Sequence, residues 1–259
     1  MTLDEYILNP MGKKNAVLNA AAREGIRKMY KFKFDNIMLR ENGKVKYHLF
    51  KKSDDNTYWA YFKIPSETVK DFYYDVVFKF YADNDVKDAG RNLFKYNIKF
   101  FSNDPAFTFT YAYVFAKNHL FVEELMRKMS TKALKTAAVE KNPNDVIGYV
   151  KIIYFAYLVM ENRNLNKISK FESEAKPFDL AYLYKEIENT DDKIEERQEE
   201  GKGVSHKKKL TVDKKTGKRI QRMSKGKDTS RLQISTTKRV KKIKSATKNS
   251  KFVRTTKKK

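Results

Sequence analysis

The sequence predicts an α+β fold, in which an antiparallel β-sheet or barrel-like sheet packs against helices and a disordered basic C-terminal tail follows. Apolar residues alternate with polar ones over much of residues 34–113, as in half-buried strands, whereas the flanking segments show helical spacing. Charge also separates along the chain. Residues 201–259 hold 23 lysines and arginines against two acidic residues, which gives +21 of the chain's net +24. We therefore predict a folded body over residues 1–200 and a lysine-rich arm over residues 201–259.

The body is predicted to open with an extended segment followed by a helix. Asn9-Pro10 and Gly12 form a turn signal that ends the extended segment. Asn15 is a suitable N-cap, and the alanines that follow it favour helix. A helix is therefore expected over residues 15–30.

Six strands are expected next, in antiparallel succession. Asn42-Gly43 is a strong hairpin signal and predicts a tight turn between the first two strands. Residues 94–100 alternate strictly between apolar and polar side chains, which indicates a strand with one buried face. The expected strands span residues 34–40, 45–51, 57–64, 72–81, 93–101 and 106–113.

Helices are predicted to resume after the strands. Residues 120–129 carry acidic residues early and basic residues late, as the helix dipole prefers, and Ser130 is expected to cap a short turn through residue 138. A helix over residues 146–162, with Asp145 as N-cap, is apolar nearly all round. It is either a buried central helix or one whose second face meets another subunit. A last helix is expected from residue 180 to about residue 200.

The residues that usually carry catalysis or bind metals and cofactors form no recognisable site in this sequence. The chain has no cysteine, which excludes disulfides, thiolate zinc sites and cysteine nucleophiles. The three histidines lie far apart, and the sequence contains no phosphate-binding loop, dinucleotide fingerprint or nucleophile elbow. Asp83, Asp85 and Asp88 lack the later glycine and glutamate of a calcium-binding loop. We expect a non-enzymatic protein without a metal or cofactor.

Aromatic residues at strand spacing permit two interpretations. Exposed rings on a sheet can stack on nucleic-acid bases, whereas rings in small β domains more often build the core. The near-neutral charge of the body favours the core. The residues concerned are Tyr47, Trp59, Tyr61, Phe94, Tyr96, Phe107 and Tyr111.

The arm is the candidate functional segment. Its dense positive charge and scattered apolar residues cannot bury a core, although residues 210–220 are typical of a small hairpin. Its charge also exceeds what solubility needs, so we expect it to neutralise nucleic-acid phosphates, of DNA in preference to RNA, by releasing counterions. The residues expected to contact phosphates are Lys207, Lys208, Lys209, Lys214, Lys215, Lys218, Arg219, Lys238, Arg239, Lys241, Lys242, Lys244, Lys257, Lys258 and Lys259.

Parts of the sequence resemble proteins found in the virions of tailed bacteriophages. The resemblance lies in residues 6–17, YILNPMGKKNAV, in residues 107–115 and in the lysine-rich end, within a composition rich in Lys, Asn, Tyr and Phe. It implies a structural component near packaged DNA or at the head–tail junction. It transfers no functional residue to this chain.

Two other functions remain open on sequence grounds. In the second hypothesis, the arm binds an acidic surface of a protein partner within an assembly. In the third, the chain is an enzyme whose active site is not recognisable from the sequence. The N-terminal residues lack the apolar run of a signal peptide, and the longest apolar stretch, residues 152–160, is far below the ~20 residues of a membrane span. We expect a location in the virion or the host cytoplasm, together with other structural proteins, and neither secretion nor a membrane.

Overall fold

A computed structural model describes residues 1–8, 20–81, 91–142, 144–199, 210–212 and 219–221. The chain divides into two units, Met1–Ser205 and His206–Lys259.

A five-stranded mixed sheet lies at the centre of the first unit. Strands β1 (Lys46–Lys52), β2 (Thr57–Pro65), β3 (Tyr73–Tyr81) and β4 (Asn97–Ser102) form an antiparallel meander. The two-residue strand β5 (Lys176–Pro177) adds to β1 in parallel, which gives the order β4-β3-β2-β1-β5. The sheet is open, with β4 and β5 at its edges, so the predicted α+β class is confirmed while the sheet is neither purely antiparallel nor a barrel.

Helices cover both faces of this sheet. Helix α6 (Lys151–Asn162) packs on β2, β3 and β4, and α2 (Ala20–Arg40) packs on α6. Helix α8 (Leu180–Glu199) packs on β3 from the opposite face. The helices are α1 (Leu3–Leu8), α2 (Ala20–Arg40), α3 (Pro105–Thr110), α4 (Ala112–Lys117), α5 (Thr131–Lys135), α6 (Lys151–Asn162), α7 (Ile168–Glu174) and α8 (Leu180–Glu199), with 3-10 helices at Leu93–Lys95 and Glu123–Lys128. Within the described ranges, every helix is too short or too polar to cross a lipid bilayer.

The main core lies between α6 and the sheet. Phe62, Phe78 and Phe100 come from three adjacent strands, are fully buried, and form edge-to-face ring pairs with centroids 5.6 and 5.5 Å apart. Ile153 of α6 is also fully buried. Helix α6 begins later than predicted, at Lys151, and Asp145 does not cap it. Because nearly every residue from Ile152 to Met160 is buried inside the chain, α6 is the buried central helix of the two alternatives.

The strand predicted over residues 34–40 is wrong, because these residues complete α2. Phe34 and Ile37 are both buried, one helical turn apart. The Asn-Gly pair that predicted a hairpin instead ends this helix. The N–H of Gly43 donates to the carbonyl of Met38 at 2.7 Å, and Asn42 and Gly43 both have positive φ. Residues in this left-handed conformation commonly end an α-helix. The predicted helix over residues 15–30 is thus described from Ala20 and continues to Arg40, while residues 15–19 lie outside the described residues. The extended segment predicted before it is wrong over Leu3–Leu8, which form α1.

The strand predicted over residues 106–113 is also wrong, because α3 and α4 occupy this stretch. Asp104 caps α3 by accepting a 3.1 Å hydrogen bond from the N–H of Phe107, and Pro105 occupies the first helical turn. Nearby boundaries shift as well. The strand predicted over residues 93–101 is a strand only from Asn97, the helix predicted over residues 120–129 is the 3-10 helix Glu123–Lys128, and α5 follows Ser130 without a side-chain capping bond.

The second unit contains one described feature. Strands β6 (Leu210–Val212) and β7 (Arg219–Gln221) pair antiparallel, with Leu210 opposite Gln221. This confirms the predicted small hairpin. The remainder of the arm, and with it the prediction of disorder, lies outside the described residues.

Candidate functional site

The sheet face that meets α8 carries most of the charged side chains of the strands. Side chains alternate between the two faces of a strand, so Lys63 of β2 and Asp75 of β3, which are cross-strand neighbours, both point toward α8. Tyr61 lies two residues from Lys63 on the same face. These three side chains, together with Asn103 and the α8 residues Glu186, Thr190 and Asp191, form what we call the α8 cluster.

Asp75 is the centre of the α8 cluster and is fully buried. Its Oδ1 accepts a 2.7 Å hydrogen bond from the hydroxyl of Tyr61 and lies 3.5 Å from the Nζ of Lys63. Its Oδ2 accepts from the Nδ2 of Asn103 at 3.0 Å, while its own N–H donates to the Oδ1 of Asn103 at 2.8 Å. Both carboxylate oxygens therefore have protein donors.

Helix α8 joins this network through three of its residues. The Nδ2 of Asn103 also donates to Asp191 at 2.9 Å, so one amide bridges two carboxylates. Lys63 donates to the hydroxyl of Thr190 at 3.1 Å and pairs with Glu186 at 3.1 Å. The cluster thus fastens α8, the last helix before the arm in the sequence, to the centre of the sheet.

Burial changes the acidity of both carboxyl groups in the cluster. Loss of water raises the pKa of Asp75, although Lys63 and the hydroxyl of Tyr61 oppose the rise. Burial also raises the pKa of Asp191 from 3.8 to about 6, against the hydrogen bond from Asn103 and with help from the nearby charge of Asp75. Ionised Asp191 is therefore a cost to the fold near neutral pH.

A cleft of about 590 Å³ opens beside the cluster, between the sheet and α8. Its lining includes Lys46, Lys63, Glu186, Thr190 and Lys193. Asp75 does not reach this cleft, because its side chain is fully buried and both of its oxygens are bonded. This geometry fits a structural role for Asp75 rather than that of a general base, which takes a proton from a substrate. In the described part of the chain, histidines and acidic residues form no group that could hold a metal ion.

Other lysines on this face are also engaged with carboxylates. Lys79 and Lys99 lie directly opposite each other on β3 and β4, which would repel if both charges were unpaired. Lys79 pairs with Glu124 and Lys99 with Glu123, both from the 3-10 helix Glu123–Lys128. The Nζ of Lys79 also lies 5.0 Å from the ring centre of Trp59. These pairs neutralise the positive charge that the sheet presents on this side.

The aromatic residues of the strands belong to the core. Trp59, Tyr61, Phe94 and Phe107 are buried, and Trp59 stacks on Phe178 with ring centres 4.4 Å apart. Tyr47, Tyr96 and Tyr111 are half-buried and pack against the same core. The core interpretation is therefore confirmed, and the sheet does not present these rings as a base-stacking surface.

The residues predicted to contact phosphates lie almost wholly outside the described residues. Arg219 is the exception: it begins β7 and pairs with Val212 of β6. The other fourteen predicted contacts, together with the acidic residues Asp83, Asp85 and Asp88, are not among the described residues. The assignment of the arm's lysines and arginines to phosphate contacts stays a prediction.

Comparisons of this chain with protein-family models, with curated protein sequences and with solved structures each give no significant match.

The α8 cluster was not predicted from the sequence, although one signal of it was present. Asp75 interrupts an apolar run in β3, YYDVVFKFY, and lies between Tyr73 and Val77 on its face of the strand. A carboxylate in such a strand must find donors. Its cross-strand partner Lys63 is likewise a charged residue within the apolar sequence of β2, two residues after Tyr61. The contribution of Asp191 depends on the placement of α8, which strand patterns do not encode.

Proposed function

We propose that this chain is a non-enzymatic structural protein that binds nucleic acid without sequence specificity through the arm. The observation that carries the proposal is the segregation of charge: the arm contains 23 basic residues against two acidic ones. Basic residues in such excess cannot be neutralised within the arm itself. A polyanion is the partner that matches this density of positive charge.

The ion pairs of the body support assigning the binding to the arm. Glu67, for example, accepts from Lys33 of α2 at 2.7 Å and from Lys151 of α6 at 2.6 Å. Burial opposes ionisation of Glu67, yet the hydrogen bonds from Lys151 and Lys33 hold its pKa below the usual value. Many lysines of the body thus already have carboxylate partners, as Lys63, Lys79 and Lys99 do, and the net charge of residues 1–200 is only +3.

The expected mechanism is counterion release. Each lysine or arginine that neutralises a phosphate displaces a condensed cation, so affinity falls linearly with the logarithm of salt concentration. Contacts of this kind go to the backbone and carry no base information. The arm has more basic residues than it can place on phosphates at once, so we expect roughly 6–10 contacts.

We place this activity in an assembly of structural proteins, near packaged DNA of a tailed phage. This part of the proposal rests on the resemblance of residues 6–17 and 107–115 to virion proteins. An assembly subunit whose arm grips an acidic protein surface is the competing function.

A salt titration tests the proposal. Binding of two unrelated DNA duplexes is measured by fluorescence for the full chain and for residues 1–200 over a series of salt concentrations. We expect equal affinity for both duplexes, a slope of about −0.9 per contacted phosphate, and loss of binding on removal of the arm. Undiminished binding by residues 1–200, or a slope near zero, would overturn the proposal and favour the acidic protein partner.

A further inference from the structure

Helix α2 has apolar residues on two faces, and among the described residues only one of these faces packs against the body. Phe34 and Ile37 are buried against the body. On the other side, Met29, Phe32 and Leu39 are 46, 67 and 78 % exposed. The outer face is therefore an apolar surface directed away from the core.

The exposed residues follow the spacing of a coiled-coil seam. Gly25, Met29, Phe32, Asn36 and Leu39 are all exposed, and they are separated by four, three, four and three residues. With 3.6 residues per turn, they fall within an arc of about 80° on the helix surface. This alternation of three and four places a continuous stripe against a second helix. We call these five residues the α2 seam.

Gly25 leaves room on this surface for a side chain of a second helix. Glycine weakens a helix interior relative to alanine, so its presence calls for a reason. A Cβ added at Gly25 would meet no described atom within 4 Å, and its φ is not in the positive range. The rest of the described chain therefore does not require glycine, whereas a second helix packed on the seam would use the space that the missing side chain leaves.

We propose that the α2 seam is a homodimer interface, in which α2 of a second copy packs antiparallel on it. In the register that places Met29 against Phe32 of the other copy, Asn36 lies against Gly25 and Leu39 against Ala22. Each larger side chain near one end of the seam then meets a small residue near the other end. A parallel pair would instead place Gly25 against Gly25 and Phe32 against Phe32, which leaves a gap at one layer and crowds another.

Charge complementarity favours the same arrangement. Lys28 and Asp35 flank one side of the seam and are 76 and 50 % exposed at their side chains. In the antiparallel register, Lys28 of each copy lies beside Asp35 of the other, which forms two symmetric attractive pairs. A parallel pair would bring Lys28 beside Lys33 of the other copy, which already pairs with Glu67, so it would form no attractive pair between the copies.

The first test is the mass of the full chain in solution. After nuclease treatment and at high salt, sedimentation equilibrium over a range of chain concentrations is expected to reach twice the 30.5 kDa of the monomer. Phe32→Glu and Leu39→Glu alter exposed residues, so each is expected to fold and to raise the dimer dissociation constant by at least about 100-fold, as loss of an interface anchor does. Val139→Glu, at a residue 71 % exposed and outside the seam, is the matched control and should dimerise normally.

The second test reports the register. Lys28→Asp and Asp35→Lys should each weaken the dimer roughly tenfold, because two attractive pairs become repulsive. The double variant should restore it. Within one helix, Lys28 pairs with Glu24 and Asp35 with Lys31, and the double variant restores neither pair, so rescue can come only from pairing between copies. A monomeric wild-type chain, or dimers unaffected by Phe32→Glu and Leu39→Glu, would overturn the interface. Failure of the double variant to recover would overturn the antiparallel register.

Discussion

The hydroxyl of Tyr61 donates a 2.7 Å hydrogen bond to the fully buried carboxylate of Asp75 on the adjacent strand. An ionised carboxylate in a protein interior is costly unless it is paired and hydrogen-bonded. Here the phenol, the ammonium of Lys63 and the amide of Asn103 share that task. The buried charge is consequently satisfied by residues from β2, β3 and the segment after β4, which fixes their relative positions.

Tyr61→Phe is expected to destabilise the body by about 1–3 kcal/mol, because the carboxylate of Asp75 loses a donor that water cannot replace. Urea unfolding monitored by circular dichroism measures the change. Tyr157→Phe is the control, since its hydroxyl bonds Glu161 at an exposed site and its loss should cost no more than about 0.5 kcal/mol. Equal effects of the two substitutions would show that Tyr61 contributes no special support to Asp75.

The core can be predicted from the sequence more readily than the α8 cluster. Helix α2 shows why a helix was predicted as a strand over residues 34–40. Residues 34–40 have apolar side chains on both faces of a helix, so their spacing does not single out a period of 3.6. The Asn-Gly pair that follows can form a hairpin turn, or it can end an α-helix with residues in the left-handed conformation. Only the packing of α2 in the folded chain decides between the two. Strands β1, β2 and β3 were predictable because their sequences favour a strand and contain no competing helix signal.

The error at residues 106–113 has a different cause. Phe107, Phe109, Tyr111 and Tyr113 alternate with smaller residues, which favours a strand by period alone. Asp104 and Pro105 together are a helix-start signal, and that local chemistry outweighs the alternation in the structure.

For the α8 cluster, Asp75 and Lys63 can be recognised in the sequence as charged residues in apolar strands. Asn103 and Asp191 are separated by 88 positions, and no local pattern pairs them.

Asp191→Asn is expected to stabilise the body at about pH 8 and to have little effect at about pH 4. The folded-state pKa of Asp191 is about 6 and its usual value is 3.8. A raised pKa favours the fold while the group is protonated, and this contribution is lost as pH rises through about 6. After allowance for solvent screening, the gain at high pH should be about 1–2 kcal/mol.

Unfolding free energies of the wild type and the Asp191→Asn variant across this pH range provide the measurement. The amide that replaces the carboxyl group keeps an oxygen that accepts from Asn103, so the hydrogen bond should survive. Asp192→Asn, at the exposed neighbouring position, should follow the wild-type curve. If the Asp191→Asn and wild-type curves run parallel from low to high pH, the carboxyl of Asp191 does not titrate as expected.

Ile153→Asp is expected to unfold or insolubilise the body. Ile153 lies in α6 with no exposed surface, among buried residues that offer an ionised carboxylate no partner. Soluble yield and thermal melting measure the effect. Val139→Asp, at a residue 71 % exposed, should melt within a few degrees of the wild type. A soluble Ile153→Asp variant with an unchanged melting temperature would place Ile153 at the surface instead.

Truncation after residue 200 is expected to leave a folded body with a cooperative thermal transition. All elements of the sheet and its covering helices lie before this point, and the hairpin of β6 and β7 has only three residues in each strand. A two-stranded hairpin of this size contributes little independent stability. Calorimetry of the full chain and of residues 1–200 makes the comparison, and a collapse of the transition on truncation would show that the arm supports the fold.

Replacing Lys238, Arg239, Lys241, Lys242 and Lys244 with glutamine should weaken binding of all DNA sequences alike and reduce the salt slope by a few units. Each phosphate contact contributes about 0.9 to the slope, and the other basic residues of the arm can replace some of the lost contacts. A reader of bases would instead lose discrimination at particular positions. The measurement is a salt titration of the full-length variant with two unrelated duplexes.

The matched control removes the same number of charges from exposed positions of the body. The positions are Lys44, Lys70, Lys132, Lys135 and Lys141, each replaced by glutamine. Since long-range charge effects are screened within about 10 Å at moderate salt, these substitutions should leave the slope nearly unchanged. A control that lowers the slope as much as the arm variant would mean that net charge, rather than phosphate contact by the arm, sets the affinity. The mechanism proposed for the arm would then be wrong.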